Sequence, residues 1–135
     1  MALMTWDDSF SVKIAQIDRE HQKLVSLLND LHAAMGTGKS KELLGKIFDE
    51  LITYTVTHFA TEEKLMTQHA YPDFAAHKIE HEKLTKQALE LQASFKAGKA
   101  GVNFEVLNFL RDWLKTHILD SDKKYGPFLN SKGIH

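Results

Sequence analysis

The chain has 135 residues, the length of one domain with a single core and too short for two. Its formal net charge is -1, with basic and acidic residues interspersed, so it carries no footprint for a nucleic-acid or polyanion partner, and the lack of cysteine excludes disulfides, thiolate zinc sites and cysteine-ligated iron–sulfur clusters. The opening residues MALMTWDDSF lack the basic and apolar blocks of a signal peptide, and no apolar run approaches the ~20 residues of a membrane span, so the expected location is the cytoplasm.

An N-terminal arm comes first, to about residue 17, with Trp6, Phe10, Val12, Ile14 and Ile17 apolar enough to pack but without a sustained period. The first helix is expected over 18–36, capped by Asp18 and broken by Gly36-Thr37-Gly38, with an apolar seam through Ile17, His21, Leu24, Leu28, Leu31 and Met35. Residues 33–40 also satisfy a loose phosphate-loop pattern. That chemistry needs a strand before the loop, whereas a helix precedes it here, so a helix end followed by a Ser40 cap accounts for the same letters.

The second helix, 40–68, stops before Tyr71-Pro72 and runs its seam through Leu44, Ile47, Leu51, Tyr54, His58, Glu62 and Leu65. Asp73 opens the third, 73–96, whose seam holds Phe74, His77, His81, Leu84, Ala88, Leu91 and Phe95 and whose end is the Gly98-Lys99-Ala100-Gly101 turn. Asn103 caps the fourth, 103–124, with Leu107, Leu110, Leu114 and His117 in its seam. It should fade before Gly126-Pro127, leaving a short tail. Seams that step mainly by three and four, on long helices joined by short loops, specify an all-α, antiparallel up-down-up-down four-helix bundle, a single domain over 1–135.

Five of the eight histidines, His21, His58, His77, His81 and His117, lie in these core seams, and Glu62 and Asp122 join them. A dry core tolerates such groups only if something binds them, because each unpaired polar or charged side chain costs several kcal/mol to bury. Their positions are the start of the first and third helices and the end of the second and fourth, which an antiparallel bundle brings to one end of the molecule. His58 and Glu62, like His77 and His81, are one turn apart and share a face. His117 and Asp122 are five apart, so Asp122 should act from a loosened last turn. His32 follows the first seam but lies about 16 Å along the axis from His21 at 1.5 Å per residue, out of reach; His69 reads as a helix C-terminal or loop residue and His135 as tail.

Imidazole and carboxylate without thiolate suit iron, zinc, manganese or copper, and seven side chains are more than one ion needs. They fit two octahedral ions. With one position filled by each histidine, the carboxylates bridging and a single-atom oxygen bridge added, one site stays open.

The motifs Asp18-Arg19-Glu20-His21, His58-Phe59-Ala60-Thr61-Glu62-Glu63, Tyr71-Pro72 followed by His77-Lys78-Ile79-Glu80-His81, and Trp113-Leu114-Lys115-Thr116-His117 through Asp122 resemble the bacterial single-domain hemerythrins over nearly the whole chain. Lys13 departs from them, standing where related chains often have Gly. The resemblance implies a non-haem di-iron centre, oxo- or hydroxo-bridged, with His77, His81 and His117 on one iron, His21 and His58 on the other, and Glu62 and Asp122 bridging. It also implies reversible dioxygen binding, for storage, transport or delivery, at the iron with two histidines. Leu24, Phe59, Trp113, Leu114 and Ile118 would form the apolar oxygen pocket, Glu20 would orient His58, and Tyr125 would lie near Asp122. Neutral imidazoles favour a carrier over an enzyme, since carboxylate-rich sites favour higher oxidation states. The expected partners are dioxygen and an oxygen-consuming protein, with the chain itself a monomer. An oxygen, redox or nitric oxide sensor and an enzyme reducing oxygen or peroxide are the alternatives.

Overall fold

The computed structural model describes residues 4–36, 41–97 and 104–135. A 3-10 turn at Asp8–Phe10 interrupts the arm, and four long helical rods follow: α1 (Ala15–Gly36), α2 (Lys41–Gln68), α3 (Phe74–Lys96), and a last rod built from α4 (Phe104–Thr116), a π turn (His117–Asp122) and α5 (Lys123–Ser131). Among the described residues there is no strand, and the architecture is the four-helix bundle that the seams specify. The Ser40 and Asn103 caps, Thr37-Gly38 and the Gly98–Gly101 turn lie outside the described residues.

The seams become the core. Leu24, Leu28, Leu31, Leu51, Leu107 and Leu114 are buried together in the middle of the bundle. A second cluster closes one end, where Val12, Ile14 and Ile17 pack on Met66, Tyr71, Tyr125 and Leu129. The arm is therefore a lid of core residues over the bundle end.

Asp18 is not the first helix's cap. The helix begins three residues earlier, and the Asp18 carboxylate reaches back along the arm to accept from the Ser11 hydroxyl at 2.6 Å and the Val12 N–H at 2.9 Å. A carboxylate in a helix's first turn sits in the favourable field of the N-terminal amides, and here it also satisfies donors of the arm. Asp73 precedes α3 as expected but makes no side-chain cap bond.

The expected tail is instead helical. Gly126 and Pro127 lie inside α5, whose buried residues Tyr125, Gly126 and Leu129 are held against the arm. Gly126 is a close-approach residue, because a Cβ there would come 2.8 Å from the Val12 carbonyl oxygen. Asn130 ties the same surface down by donating to the Lys13 carbonyl at 3.0 Å. Tertiary packing thus overrides two local helix breakers.

Two exposed residues adopt left-handed backbone, Lys13 at φ 62° and Ala70 at φ 54°. Ala70 closes α2 through a six-to-one and five-to-two pair of bonds, with the Tyr71 N–H on the Met66 carbonyl at 2.9 Å and the Ala70 N–H on the Thr67 carbonyl at 3.4 Å. Glycine is favoured at that position because it has no Cβ to clash. Lys13 meets the same requirement. Lys13→Gly and Ala70→Gly should each stabilise the protein by about 1 kcal/mol, relieving left-handed strain that outweighs glycine's greater loss of entropy. Urea unfolding measures this; an unchanged or lower midpoint for both would contradict the assignment.

Candidate metal centre

Four rods each deliver ligand-type side chains to one layer. His21 comes from the early part of α1, His58 and Glu62 from the later part of α2, and His77 and His81 from the start of α3. The last rod contributes His117 and Asp122, the two ends of the π turn. A π helix closes bonds from i to i+5, so residues five apart return to one face. The loosening anticipated for the last turn of the fourth helix is this wide turn, and α5 continues beyond it.

All seven groups are buried; the most exposed, His77, shows only 6% of its surface. Their Nε2 atoms converge on the two carboxylates. Glu62 Oε1 lies 3.0 Å from His58, 3.1 Å from His117 and 3.4 Å from His81, and Asp122 Oδ2 lies 2.7 Å from His21 and 3.0 Å from His117. His77 Nε2 is 3.1 Å from Asp122 Oδ1. Two overlapping sets of ligand atoms result, each within 4.8 Å: His21, His58, Glu62, His117 and Asp122, and Glu62, His77, His81, His117 and Asp122. Both carboxylates belong to both sets, as bridging groups must. His32 belongs to neither.

The donor set suits a cation. His21 Nε2, His58 Nε2, His81 Nε2 and Asp122 Oδ2 are buried with no directed hydrogen bond, although His21 and Asp122 are within 2.7 Å. Atoms that crowd together without pointing at one another are arranged as ligands around a shared ion, and leaving them so without one is costly.

Outside this layer, carboxylates address the far side of the rings. Glu20 Oε1 is 2.7 Å from His58 Nδ1, Glu63 Oε2 is 3.3 Å from His81 Nδ1, and Glu80 Oε1 is 3.4 Å from His117 Nδ1. A proton held at Nδ1 leaves the Nε2 lone pair free for a metal. Glu20 is placed as the sequence suggested. Glu63 and Glu80 carry no such signal beyond adjoining a ligand in sequence, Glu62 and His81. Tyr125 donates a short hydrogen bond to Glu62, not to Asp122.

Charge compensation explains the titration behaviour. Burial opposes ionisation of Glu62, yet the charges of His58 and His117 outweigh it and hold its carboxyl well below the usual range. Burial and Glu62 both oppose ionisation of Asp122, and His117 together with the close approach of His21 nonetheless keeps its carboxyl low. Burial disfavours the His58 cation, but the charge of Glu62 close by and the bond to Glu20 carry its pKa up to about 9; His117 is likewise raised by Asp122 and Glu62. Burial first, then the two carboxylates, pushes the Tyr125 phenol up, so it stays a donor. Without metal, protons supply the positive charge.

One helical turn deeper lies an apolar cavity of about 20 Å³, room for roughly one water-sized molecule. Leu24, Thr55, Leu84 and Leu114 line it, each three residues from a histidine of its own helix. Of the five residues expected around an oxygen pocket, Leu24, Trp113 and Leu114 line this space. Phe59 stacks instead on His81, with ring centroids 3.9 Å apart, and Ile118 is buried in the core. Trp113 lies parallel to His117 at 5.8 Å.

Residues 12–129 match the family model described as the hemerythrin HHE cation binding domain. The chain is 45% identical over 132 residues to a bacteriohemerythrin of Methylococcus capsulatus, covering 97% of this chain and 100% of that protein. It is 38% identical to a bacteriohemerythrin of Stenotrophomonas maltophilia, with 93% and 80% covered. A solved wild-type hemerythrin superposes with a TM-score of 0.90 at 44% identity, covering 95% of this chain and 98% of that one.

The raised His58 pKa makes metal-free stability depend on pH. Its contribution is fully present below the ordinary value of 6.5 and is lost as pH climbs through about 9. Metal-free protein should therefore melt at progressively lower temperature over that interval, while a metal, which holds the imidazole neutral, should flatten the dependence. Thermal melts of stripped and loaded protein decide it; parallel curves would contradict proton-for-metal substitution.

Proposed function

The chain belongs to the hemerythrin family, and on that premise we propose that it binds dioxygen reversibly at a di-iron centre, for storage, transport or delivery. The observation that carries this reading is the buried seven-residue cluster, with both carboxylates common to its two ligand sets. His77, His81 and His117 would hold one iron, His21 and His58 the other, and Glu62 and Asp122 would bridge them. Two iron ions, oxo- or hydroxo-bridged, would supply the electrons and the open coordination position that dioxygen requires.

The chain's own side chains account for the rest. Glu20, Glu63 and Glu80 keep protons on the outer ring nitrogens, so that His58, His81 and His117 present Nε2 inward. Tyr125 donates to Glu62 and restrains the bridging carboxylate. Leu24 and Leu114, both essentially buried, exclude water from the cavity beneath the ligand layer. Five neutral imidazoles against two carboxylates favour reversible binding over the oxidising chemistry of carboxylate-rich sites. Among the described residues no helix is long and apolar enough to cross a membrane. The reading takes the protein as a cytoplasmic monomer that passes oxygen to an oxygen-consuming protein.

Titration of the reduced protein with dioxygen, followed by visible absorption, tests this. Stoichiometric uptake reversed by removing oxygen is expected, whereas steady consumption of oxygen with a reductant would identify an enzyme. His77→Ala and Glu62→Ala should lose iron and colour, and His32→Ala should keep both; equal loss in His32→Ala would mean the wrong layer.

Leu114→Ala should leave iron content unchanged and accelerate both oxygen dissociation and autoxidation several-fold, because it opens a gap through which water enters. Stopped-flow dissociation and decay of the oxygenated band measure the two rates. Wild-type values for both would make Leu114 a packing residue only.

A further inference from the structure

The residues that wall the cavity beneath the ligand layer differ in exposure from side to side. On the α1 and α2 side it is bounded by Leu24, Leu28, Leu51, Ile52 and Thr55, none more than 5% exposed. On the α3 and α4 side the lining includes half-buried Leu84 and Trp113, and Phe109, which is 38% exposed. Among the described residues, backbone contact between α3 and α4 is also sparse beside that of α1 with α2 or of α2 with α3.

Two surface grooves share lining residues with the cavity on that side. One, of about 350 Å³, lies between Leu91 and Phe109; the other, of about 340 Å³, runs along Leu84, Phe109 and Trp113 to His117. Phe109 lines both grooves and the cavity, and so forms the partition between solvent and the interior. The larger grooves elsewhere share no lining residue with the cavity. The one between α2 and α3 ends on His81 and on Phe59, which is stacked on that ring.

We infer that the seam between α3 and α4 is the entrance for dioxygen, and that Phe109 is its gate. The inference rests on the dioxygen-binding reading and adds the route. A small apolar molecule crosses an apolar partition at little cost, whereas water must give up its hydrogen bonds to do so, so the same residue admits the gas and resists the solvent. Opening requires only that one half-exposed ring turn aside, a motion fast for surface side chains.

A gate lies on the path and not at its end, so it changes association and dissociation alike. In the iron-loaded protein Phe109→Ala should raise both dioxygen rates by the same several-fold factor and leave affinity unchanged. Leu84→Phe, which adds bulk to both groove and cavity, should slow both. Val56→Ala, in the α2–α3 groove, should alter neither. A second readout does not depend on iron chemistry: in a Trp6→Phe background the remaining tryptophan is Trp113, and quenching of its fluorescence by dissolved dioxygen in the protein as purified should rise in Phe109→Ala and fall in Leu84→Phe.

Reversible dioxygen binding with rates and quenching untouched by either variant overturns the gate, as does a change in dissociation alone, or acceleration by Val56→Ala. Quenching that responds to both variants in a protein that binds no dioxygen reversibly supports the entrance and overturns the carrier reading instead.

Discussion

Two carboxylates, Glu62 and Asp122, sit with at most 1% exposure among four helices, and their charge has to be compensated from within. Everything at this end of the molecule follows from that requirement. Five imidazoles surround the pair, three of them braced by outer glutamates and two carrying raised pKa values, so the cluster holds positive charge whether protons or metal ions provide it. Breaking such an arrangement by removing one partner leaves an uncompensated buried charge, which typically costs about 3–5 kcal/mol. The arm, α5 and the C-terminal part of α2 form the apolar lid that keeps water from sharing the load.

Much of this was legible in the sequence because it depends on period. The seams placed His21, His58, Glu62, His77, His81 and His117 inside, and the antiparallel topology brought them to one level. What period could not reach was any residue whose position depends on a departure from it. Asp122 looked displaced by its spacing of five from His117, and the π turn removes the displacement. Gly126-Pro127 read as a stop, since local propensity says so, but burial against Val12 carries the helix through. Asp18 read as a cap because its letter fits one, whereas the arm's unsatisfied donors claim it.

The outer shell was harder for a different reason. Glu63 and Glu80 act across helix interfaces on histidines 18 and 37 residues away, so no local pattern marks them. Tyr125 is expected near Asp122 from proximity in sequence, but its bond to Glu62 runs across the bundle and has no local signal. Phe59 directly follows His58 in sequence, yet its ring stacks on His81 and does not line the cavity. These choices are made by packing between rods.

The division of labour is accordingly between a tightly packed half, α1 and α2, and a looser seam, α3 and α4, with the ligand layer spanning both. The account stands on the claim that two ions share the carboxylates. Anomalous diffraction at the iron edge from crystals of the iron-loaded protein measures this directly. The account predicts two peaks, each within ligand distance of both Glu62 and Asp122, with His77, His81 and His117 beside one and His21 and His58 beside the other. A single peak, or iron bound away from this layer, would contradict it.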